Sequence, residues 1–148
     1  MPEVHRDPIA GEIISAAIEV HQHFGPGLLE STYERAFAYE LNARGLHVER
    51  EVTIPVTYKG VAIDCGYRLD LLVDRAIIVE VKSVEQLAPI HEAQVMTYLR
   101  LTGARQALLF NFNETTLMRG LRSYLGRGKD VPISRLIGVR SFPETPAT

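Results

Sequence analysis

The chain has 148 residues, of which 46% are hydrophobic and 23% are charged, and its formal net charge at pH 7 is −2. These values are typical of one soluble globular domain, and the single cysteine, Cys65, excludes a disulfide framework and a cysteine-ligated zinc or iron–sulfur site. No run approaches the roughly 20 apolar residues of a membrane span, and the first residues lack the pattern of a signal peptide, so we expect a cytoplasmic protein without membrane contact.

Two helices are predicted in the first third of the chain. Apolar residues recur at helical spacing over residues 8–24, after an Asp7-Pro8 pair that suits a helix start. The glycines and proline of 25–27 end this helix. A second apolar stripe predicts a helix over 29–44, with Gly45 as a left-handed stop. We expect the two helices to form an antiparallel hairpin.

Strands follow the helical hairpin. Apolar and polar residues alternate over 52–58, where Pro55 favours an edge strand or a bulge. The run at 61–65 continues through Gly66 into a second predicted strand at 67–73. A third strand is predicted over 76–83.

The last predicted elements are a helix and a strand. Residues 88–102 predict the helix, and residues 106–112 predict the strand after it. This strand–helix–strand order predicts that the strands before and after the helix are parallel. Residues 116–125 suit a strand or a helix, 126–134 resemble a loop, and 141–148 resemble a frayed tail.

Charged residues interrupt two of the predicted strands. The β-branched run Ile77–Val81 is typical of a strand buried on both faces, yet it contains Glu80 and is followed by Lys82. Asp70 interrupts the preceding strand in the same way. Strand alternation puts Glu80 and Lys82 on one face. Because burying an unpaired charge costs about several kcal/mol, these groups need partners or a metal ion.

The turn between these two strands determines how the acids meet. Asp74-Arg75 is the predicted reversal, and its length is open from sequence. A two-residue loop would pair Asp70 with Val79, and a three-residue loop would pair it with Glu80. In both registers the Cβ atoms of the two acids lie about 5–8 Å apart if they share a face, which suits one divalent ion. The alternative is an ordinary cross-strand ion pair with Lys82.

Charge is unevenly distributed along the chain. Residues 1–99 carry a net charge of −7, whereas residues 100–148 carry +5. The basic residues of the last third would form a phosphate-facing surface beside an acidic metal pocket, or simply a solvated basic end. They are Arg100, Arg105, Arg119, Arg122, Arg127, Lys129, Arg135 and Arg140.

Three motifs resemble a known family. Asp70 followed by Glu80-Val81-Lys82 is similar to the D…(D/E)-x-K signature of the PD-(D/E)xK nuclease superfamily, although Leu69 replaces the proline. Residues Gly27–Tyr33 fit G-x-x-E-x-x-Y, the motif of the GxxExxY family, a bacterial branch of that superfamily. Residues Gln94–Tyr98 fit the Q-x-x-x-Y helix motif of RecB-type members.

The resemblance implies a metal site and its catalytic residues. Asp70 and Glu80 would bind Mg²⁺ or Mn²⁺ together with the Val81 carbonyl, and Glu30 would complete the site or hold a second ion. Lys82 would orient the attacking water and stabilise charge in the transition state. Without the resemblance, Glu30 is equally well explained as an acid that compensates the dipole at a helix start.

The resemblance also implies a fold and a substrate surface. The fold would be α/β and restriction-endonuclease-like, with a mixed sheet flanked by helices in a single domain over 1–148 and a core at about 8–125. Gln94 and Tyr98, one helical turn apart, and Tyr33 would contact the substrate. Their alternative role is packing, with the Tyr33 hydroxyl placing Glu30.

The function that the resemblance implies is metal-dependent hydrolysis of phosphodiester bonds, in DNA more than in RNA. The alternative is a subunit with the same fold that binds nucleic acid or a partner protein without turnover. A homodimer is compatible with a site that cuts one strand. Exonuclease or endonuclease action, and sequence preference, stay open from the sequence.

Overall fold

The computed structural model describes residues 7–63, 66–126 and 137–140. Three helices, eight strands and a short 3-10 helix at Leu117–Gly120 follow one another in this part of the chain. None of the helices described is long and apolar enough to cross a membrane. The helices are α1 (Pro8–Phe24), α2 (Glu30–Ala43) and α3 (Pro89–Thr102), and the strands are β1 (Val48–Thr53), β2 (Val56–Tyr58), β3 (Val61–Ile63), β4 (Arg68–Val73), β5 (Ile77–Lys82), β6 (Gln106–Asn111), β7 (Leu121–Leu125) and β8 (Ile137–Arg140).

The three predicted helices are confirmed to within a residue or two at each end. The Asp7 carboxylate caps α1 by accepting the backbone N–H groups of Ile9 and Ala10 at 2.9 and 3.3 Å. Gly45, after α2, has a φ of 88°, and Gly103 caps α3 in the left-handed conformation. Both glycines therefore act as the predicted stops, because this conformation carries no Cβ penalty for glycine.

Six strands form one mixed sheet in the order β7-β6-β5-β4-β1-β8, and β2 and β3 form a separate two-stranded hairpin. The pair β5–β6 is parallel, as the intervening α3 predicted, and the other neighbours are antiparallel. The α/β fold with a mixed sheet between helices is thus confirmed.

A separate apolar core lies on each face of the sheet. On one face α1 and α2 pack over β4, β5 and β6, with Phe37, Phe110 and Phe112 in mutual ring contact. On the other face α3 packs through Val95, Tyr98 and Leu99.

The first predicted strand differs from the observed one. The structure starts β1 at Val48, four residues before the prediction, and ends it at Thr53. Pro55 then separates β1 from β2, because proline cannot donate to a strand ladder. The ambiguous segment 116–125 resolves into the 3-10 helix followed by β7.

One strand was not predicted at all. Residues Ile137–Arg140 form β8, which pairs antiparallel with β1 at the edge of the sheet. The predicted loop lies almost wholly in 127–136 and the predicted tail in 141–148, both outside the described residues.

The turn between β4 and β5 has three residues. The register pairs Val73 with Ile77 and Leu71 with Val79. Asp74 and Arg75 both have a positive φ, of 52° and 51°. Continued by one step, this register sets Asp70 opposite Glu80, which is the longer-loop alternative of the sequence prediction.

Candidate active site

Asp70 and Glu80 are joined through backbone hydrogen bonds. Glu80 Oε2 accepts the backbone N–H of Asp70 at 2.8 Å, and Asp70 Oδ2 accepts the backbone N–H of Val81 at 2.8 Å. The two side chains replace ladder bonds where the pairing of β4 with β5 ends. Glu80 is only 2% exposed. The two carboxyl groups are therefore held in place by the backbone of the strands that carry them.

Burial raises the pKa values of both acids above those of free carboxylic acids. Desolvation raises the pKa of Glu80 well above its ordinary value, and the nearby Asp70 carboxylate adds to the increase. Desolvation also raises the pKa of Asp70, against the hydrogen bond from Val81 and the charge of Lys82. Ionising both groups therefore costs free energy, which the Lys82 charge and the backbone N–H donors offset in part.

The side-chain alternation of β4 is interrupted at Asp70. Leu69 packs in the core under α3, whereas Leu71, two residues later, packs in the core under α1 and α2. In a regular strand both would share a face. The neighbouring strand β1 makes the same switch around Glu51, whose φ is 52°. Asp70 thus lies where the simple alternation assumed from sequence fails.

Lys82 and the Val81 backbone complete this end of β5. Lys82 is half-buried, and its charge opposes the increase in pKa of both acids, so its ammonium group lies close to them. The Val81 N–H faces Asp70. Because the N–H and C=O of one residue in an extended strand point to the same side, the Val81 carbonyl lies on the Asp70 side as well.

The start of α2 is fixed to the end of β5. Glu30, the first residue of α2, accepts the backbone N–H of Ser83 at 3.2 Å through Oε2, and Ser83 Oγ donates to the Leu28 carbonyl at 2.6 Å. Glu30 is exposed, and its charge contributes to the raised pKa of Asp70. The structure therefore brings Glu30 to the same end of the sheet as the acid pair.

Tyr33 does not lie on a substrate surface. Its side chain is fully buried and stacks on Phe112 with ring centroids 4.7 Å apart. Its hydroxyl donates to the Gly25 carbonyl and accepts the Leu28 N–H at 3.1 Å. The predicted substrate contact is therefore corrected: Tyr33 holds the loop that leads into Glu30.

A cavity of about 340 Å³ opens beside Asp70. Gln94 and Tyr98 of α3 line it, together with Glu34 of α2 and Tyr67 before β4. Tyr98 is 4% exposed, and desolvation followed by the charges of Glu80 and Asp70 raises its pKa to about 12. The Gln94 side chain opposes this increase in the pKa of Tyr98. Gln94 and Tyr98 thus line the same cavity as Asp70.

Glu34 and Glu51 also line this cavity and were not predicted from the sequence, and Glu34 is the one whose pKa is strongly raised. Desolvation, followed by the Asp70 charge, raises its pKa from 4.5 to about 7. Its Oε2 atom lies 3.5 Å from Arg50 Nε, a distance at the edge of hydrogen bonding. Glu34 follows Glu30 by four residues, so the two share a helix face. That spacing was the signal that would have identified it.

The basic residues of the last third do not form one surface among the residues described. Arg105 precedes β6 and bonds Asp7 at 2.8 Å, at the end of the sheet opposite to Lys82. Arg122 pairs with Leu109, which pairs with Glu80, so Arg122 lies two strands, or about 10 Å, from that acid. Only the 119–122 region lies at the end of the sheet that carries the acids; Arg127, Lys129, Arg135 and the side chain of Arg140 lie outside the described residues.

The donor set fits a hard divalent cation. Each carboxyl group of the pair uses one oxygen for a backbone N–H and has a second one. Across 7–63 and 66–126, no group of three or more His, Cys, Asp or Glu side chains is arranged to hold a metal ion by itself. Mg²⁺ commonly takes one or two carboxylates and completes its shell with water, so two acids and a carbonyl suffice.

The comparison with family models identifies the fold family. The model of the PD-(D/E)XK nuclease superfamily matches residues 7–123. The chain belongs to the PD-(D/E)XK nuclease superfamily. The matched span runs from the cap of α1 into β7 and includes the acid pair, Lys82 and the cavity. Members of this superfamily are in general metal-dependent nucleases that use divalent ions such as Mg²⁺.

Comparison with the curated proteins and with the solved structures gives no match. The comparisons therefore establish the superfamily, with its fold and general chemistry, and no narrower group. Within the matched residues the elements follow the order predicted from the sequence. This order is a helical hairpin, antiparallel strands, a helix and a parallel strand.

Proposed function

We propose that this protein hydrolyses phosphodiester bonds of DNA with Mg²⁺ or Mn²⁺ as cofactor, and that it belongs to the GxxExxY branch of its superfamily. The observation that carries the proposal is the Asp70–Glu80 pair, a half-buried and a buried acid that both have raised pKa values opposed by the charge of Lys82. A purely structural role would favour apolar residues there, because unpaired buried acids destabilise a fold. DNA is the substrate implied by the resemblance to RecB-type members.

The residues that would hold the ion are Asp70, Glu80 and the Val81 carbonyl, with Glu30 at the exposed side. When bound, the ion supplies Lewis-acid polarisation of the phosphate and lowers the pKa of water. The chain holds these ligands in place before binding, since the backbone N–H groups of Asp70 and Val81 already orient the two carboxyl groups.

Lys82 would act on the reacting groups. Its ammonium group, beside both acids, would orient the attacking water and stabilise the negative charge that develops on the phosphate. Gln94 and Tyr98, which line the cavity next to Asp70, would contact the nucleic-acid strand. Their amide and hydroxyl groups suit a phosphate oxygen or a base edge.

The test separates turnover from binding. Cleavage of labelled single- and double-stranded DNA and RNA is measured with Mg²⁺ or Mn²⁺, and binding is measured with Ca²⁺. We expect Lys82→Ala to reduce cleavage by about 100-fold or more while affinity changes by about twofold or less, because the lysine acts on transition-state charge. Arg35→Ala, which removes one exposed positive charge from α2, is the matched control and should cut normally.

The competing function is a binding subunit without turnover. Wild-type protein that binds these nucleic acids but cuts none of them, with Lys82→Ala binding equally well, would establish that alternative. Cleavage of RNA alone would overturn the proposed substrate and keep the proposed chemistry. Protein that neither binds nor cuts would point to a missing partner protein.

A further inference from the structure

The hairpin of β2 and β3 begins where the ladder of β1 and β4 ends. Ile54 donates its N–H to the Tyr67 carbonyl at 3.0 Å, one step beyond the Thr53–Arg68 pair, so this ladder reaches the base of the hairpin. Lys59 and Gly60 form its tip, with φ values of 51° and 82°. The hairpin itself is a separate two-stranded ladder next to the six-stranded sheet.

One face of the hairpin is apolar and exposed. The register pairs Val56 with Ile63 and Tyr58 with Val61, so these four side chains share a face. Val56 packs against the core under α3, whereas Tyr58, Val61 and Ile63 are 62%, 60% and 40% exposed. Exposed apolar groups concentrated on one short element indicate a binding surface.

Tyr67, which bonds the base of the hairpin through Ile54, lies between the hairpin and the cavity along the chain. Tyr67 is 49% exposed and lines the cavity together with Tyr98 and Asp70. It lies three residues before Asp70 on the same run of chain, a distance of about 10 Å in an extended strand. A linear ligand can therefore reach from the hairpin to the acid pair.

The chemistry of the hairpin selects among ligands. Two exposed tyrosine rings, Tyr58 and Tyr67, offer flat surfaces on which bases stack. Lys59 Nζ lies 5.3 Å from the centre of the Tyr58 ring, so positive charge accompanies that ring, whereas the exposed Arg68 next to Tyr67 forms an ion pair with Glu51 at 3.3 Å. Exposed aromatic rings with a cationic group beside them suit an unpaired strand, whereas the bases of a duplex are stacked on each other and cannot reach the rings.

We infer that the β2–β3 hairpin binds an unpaired nucleic-acid strand, whose bases stack on Tyr58 and Tyr67 while its backbone continues to Asp70. This inference rests on the proposed function, because it assigns a substrate class to the same site. Single-stranded DNA and single-stranded RNA share this chemistry, and separate arms of the experiment distinguish them.

The experiment measures binding of labelled oligonucleotides of about a dozen residues by fluorescence anisotropy in Ca²⁺. Tyr58→Ala should weaken binding of single strands about fivefold or more, and Tyr58→Phe, which keeps the ring, should bind like wild type. Tyr39→Ala is the matched control, since Tyr39 is equally exposed, at 62%, on α2. Binding of a blunt duplex should not change. Thermal unfolding checks that each variant is folded.

Three results would overturn the inference: wild type that binds no unpaired strand, Tyr58→Ala that binds single strands like wild type, and equal losses for single strands and duplex. A change in self-association on Tyr58→Ala, with strand binding unchanged, would assign the face to a protein partner instead. Cleavage in Mg²⁺ is scored separately. Wild type that binds strands through Tyr58 but cuts nothing would keep this inference and refute the proposed nuclease activity.

Discussion

At the scale of single residues, the raised pKa of Glu34 makes the stability of the fold depend on pH. Its pKa of about 7 exceeds the ordinary 4.5, chiefly because burial disfavours its charge. The folded state therefore binds its proton more tightly than the unfolded state does. The sign follows: stability contributed by protonated Glu34 is present below about pH 4.5 and is lost progressively as pH rises through about 7.

Glu34→Gln should remove this dependence. At pH 8 we expect the metal-free variant to be more stable than wild type by roughly 1–2 kcal/mol, after allowance for partial exposure and for the lost attraction to Arg50. At pH 4 the two proteins should unfold alike. Circular dichroism at both pH values measures this, with the exposed Glu85→Gln as control. Parallel pH profiles of Glu34→Gln and wild type would contradict the assignment.

Single residues also show how much of the candidate site could be predicted from the sequence. Asp70 and Glu80 were identifiable because a charge inside a β-branched run needs an explanation, and their pairing depended on a turn of unknown length. For Tyr33 the structure supports the packing alternative, in which its hydroxyl bonds the Gly25–Leu28 loop, and not the predicted substrate contact. Glu34 was missed because acids are common on helices and because its charged neighbours Asp70 and Arg50 are distant in sequence.

At the scale of elements, the face switch in β1 and β4 is the least regular feature of the sheet. Glu51 has a φ of 52°, a conformation that is costly for a residue with a Cβ and most costly for a β-branched one. Glu51→Val should therefore destabilise the protein, although valine is the better strand former.

The loss of stability in Glu51→Val is measured relative to a second variant, Glu51→Gln. Relative to Glu51→Gln, which loses the same charge, we expect Glu51→Val to cost about 1–2 kcal/mol of unfolding free energy in urea. Glu51→Gly should be at least as stable as Glu51→Gln, because glycine adopts a positive φ freely. Equal stability of the valine and glutamine variants would show that the left-handed conformation carries no strain.

Sequence patterns predicted the helices better than the strands. Helix ends were marked by Asp7, Gly45 and Gly103, each with a local physical role. The first half of β1 was missed because charged residues dominate it, and its burial comes from α2 and β4. An edge strand such as β8 carries few local signals, since its partner β1 lies far away in the chain.

At the scale of the whole molecule, metal binding should stabilise the fold. Saturating Mg²⁺ or Mn²⁺, at about 100 times the dissociation constant, adds about 2.7 kcal/mol, or a melting temperature about 5–10 °C higher. The double variant Asp70→Asn/Glu80→Gln should lose this response. Without metal it should melt above wild type, because it relieves the repulsion between two buried acids.

Differential scanning calorimetry with and without metal provides the measurement, and Glu85→Gln should respond like wild type. A double variant that retains the full metal-induced increase would refute the placement of the ion. The fold itself was predictable at this scale, since the three motifs occur in the order of the superfamily and the family match spans most of the chain.

The burial that raises the pKa values of Asp70 and Glu80 also couples metal binding at this site to the release of protons. Both carboxyl groups hold protons more tightly than free acids do, so a cation that binds them displaces those protons into the solvent. The heat of metal binding should then vary with the ionisation enthalpy of the buffer. Metal occupancy of this site would accordingly depend on pH as well as on metal concentration, and the number of protons released per ion would fall as pH rises above the pKa values of the two acids.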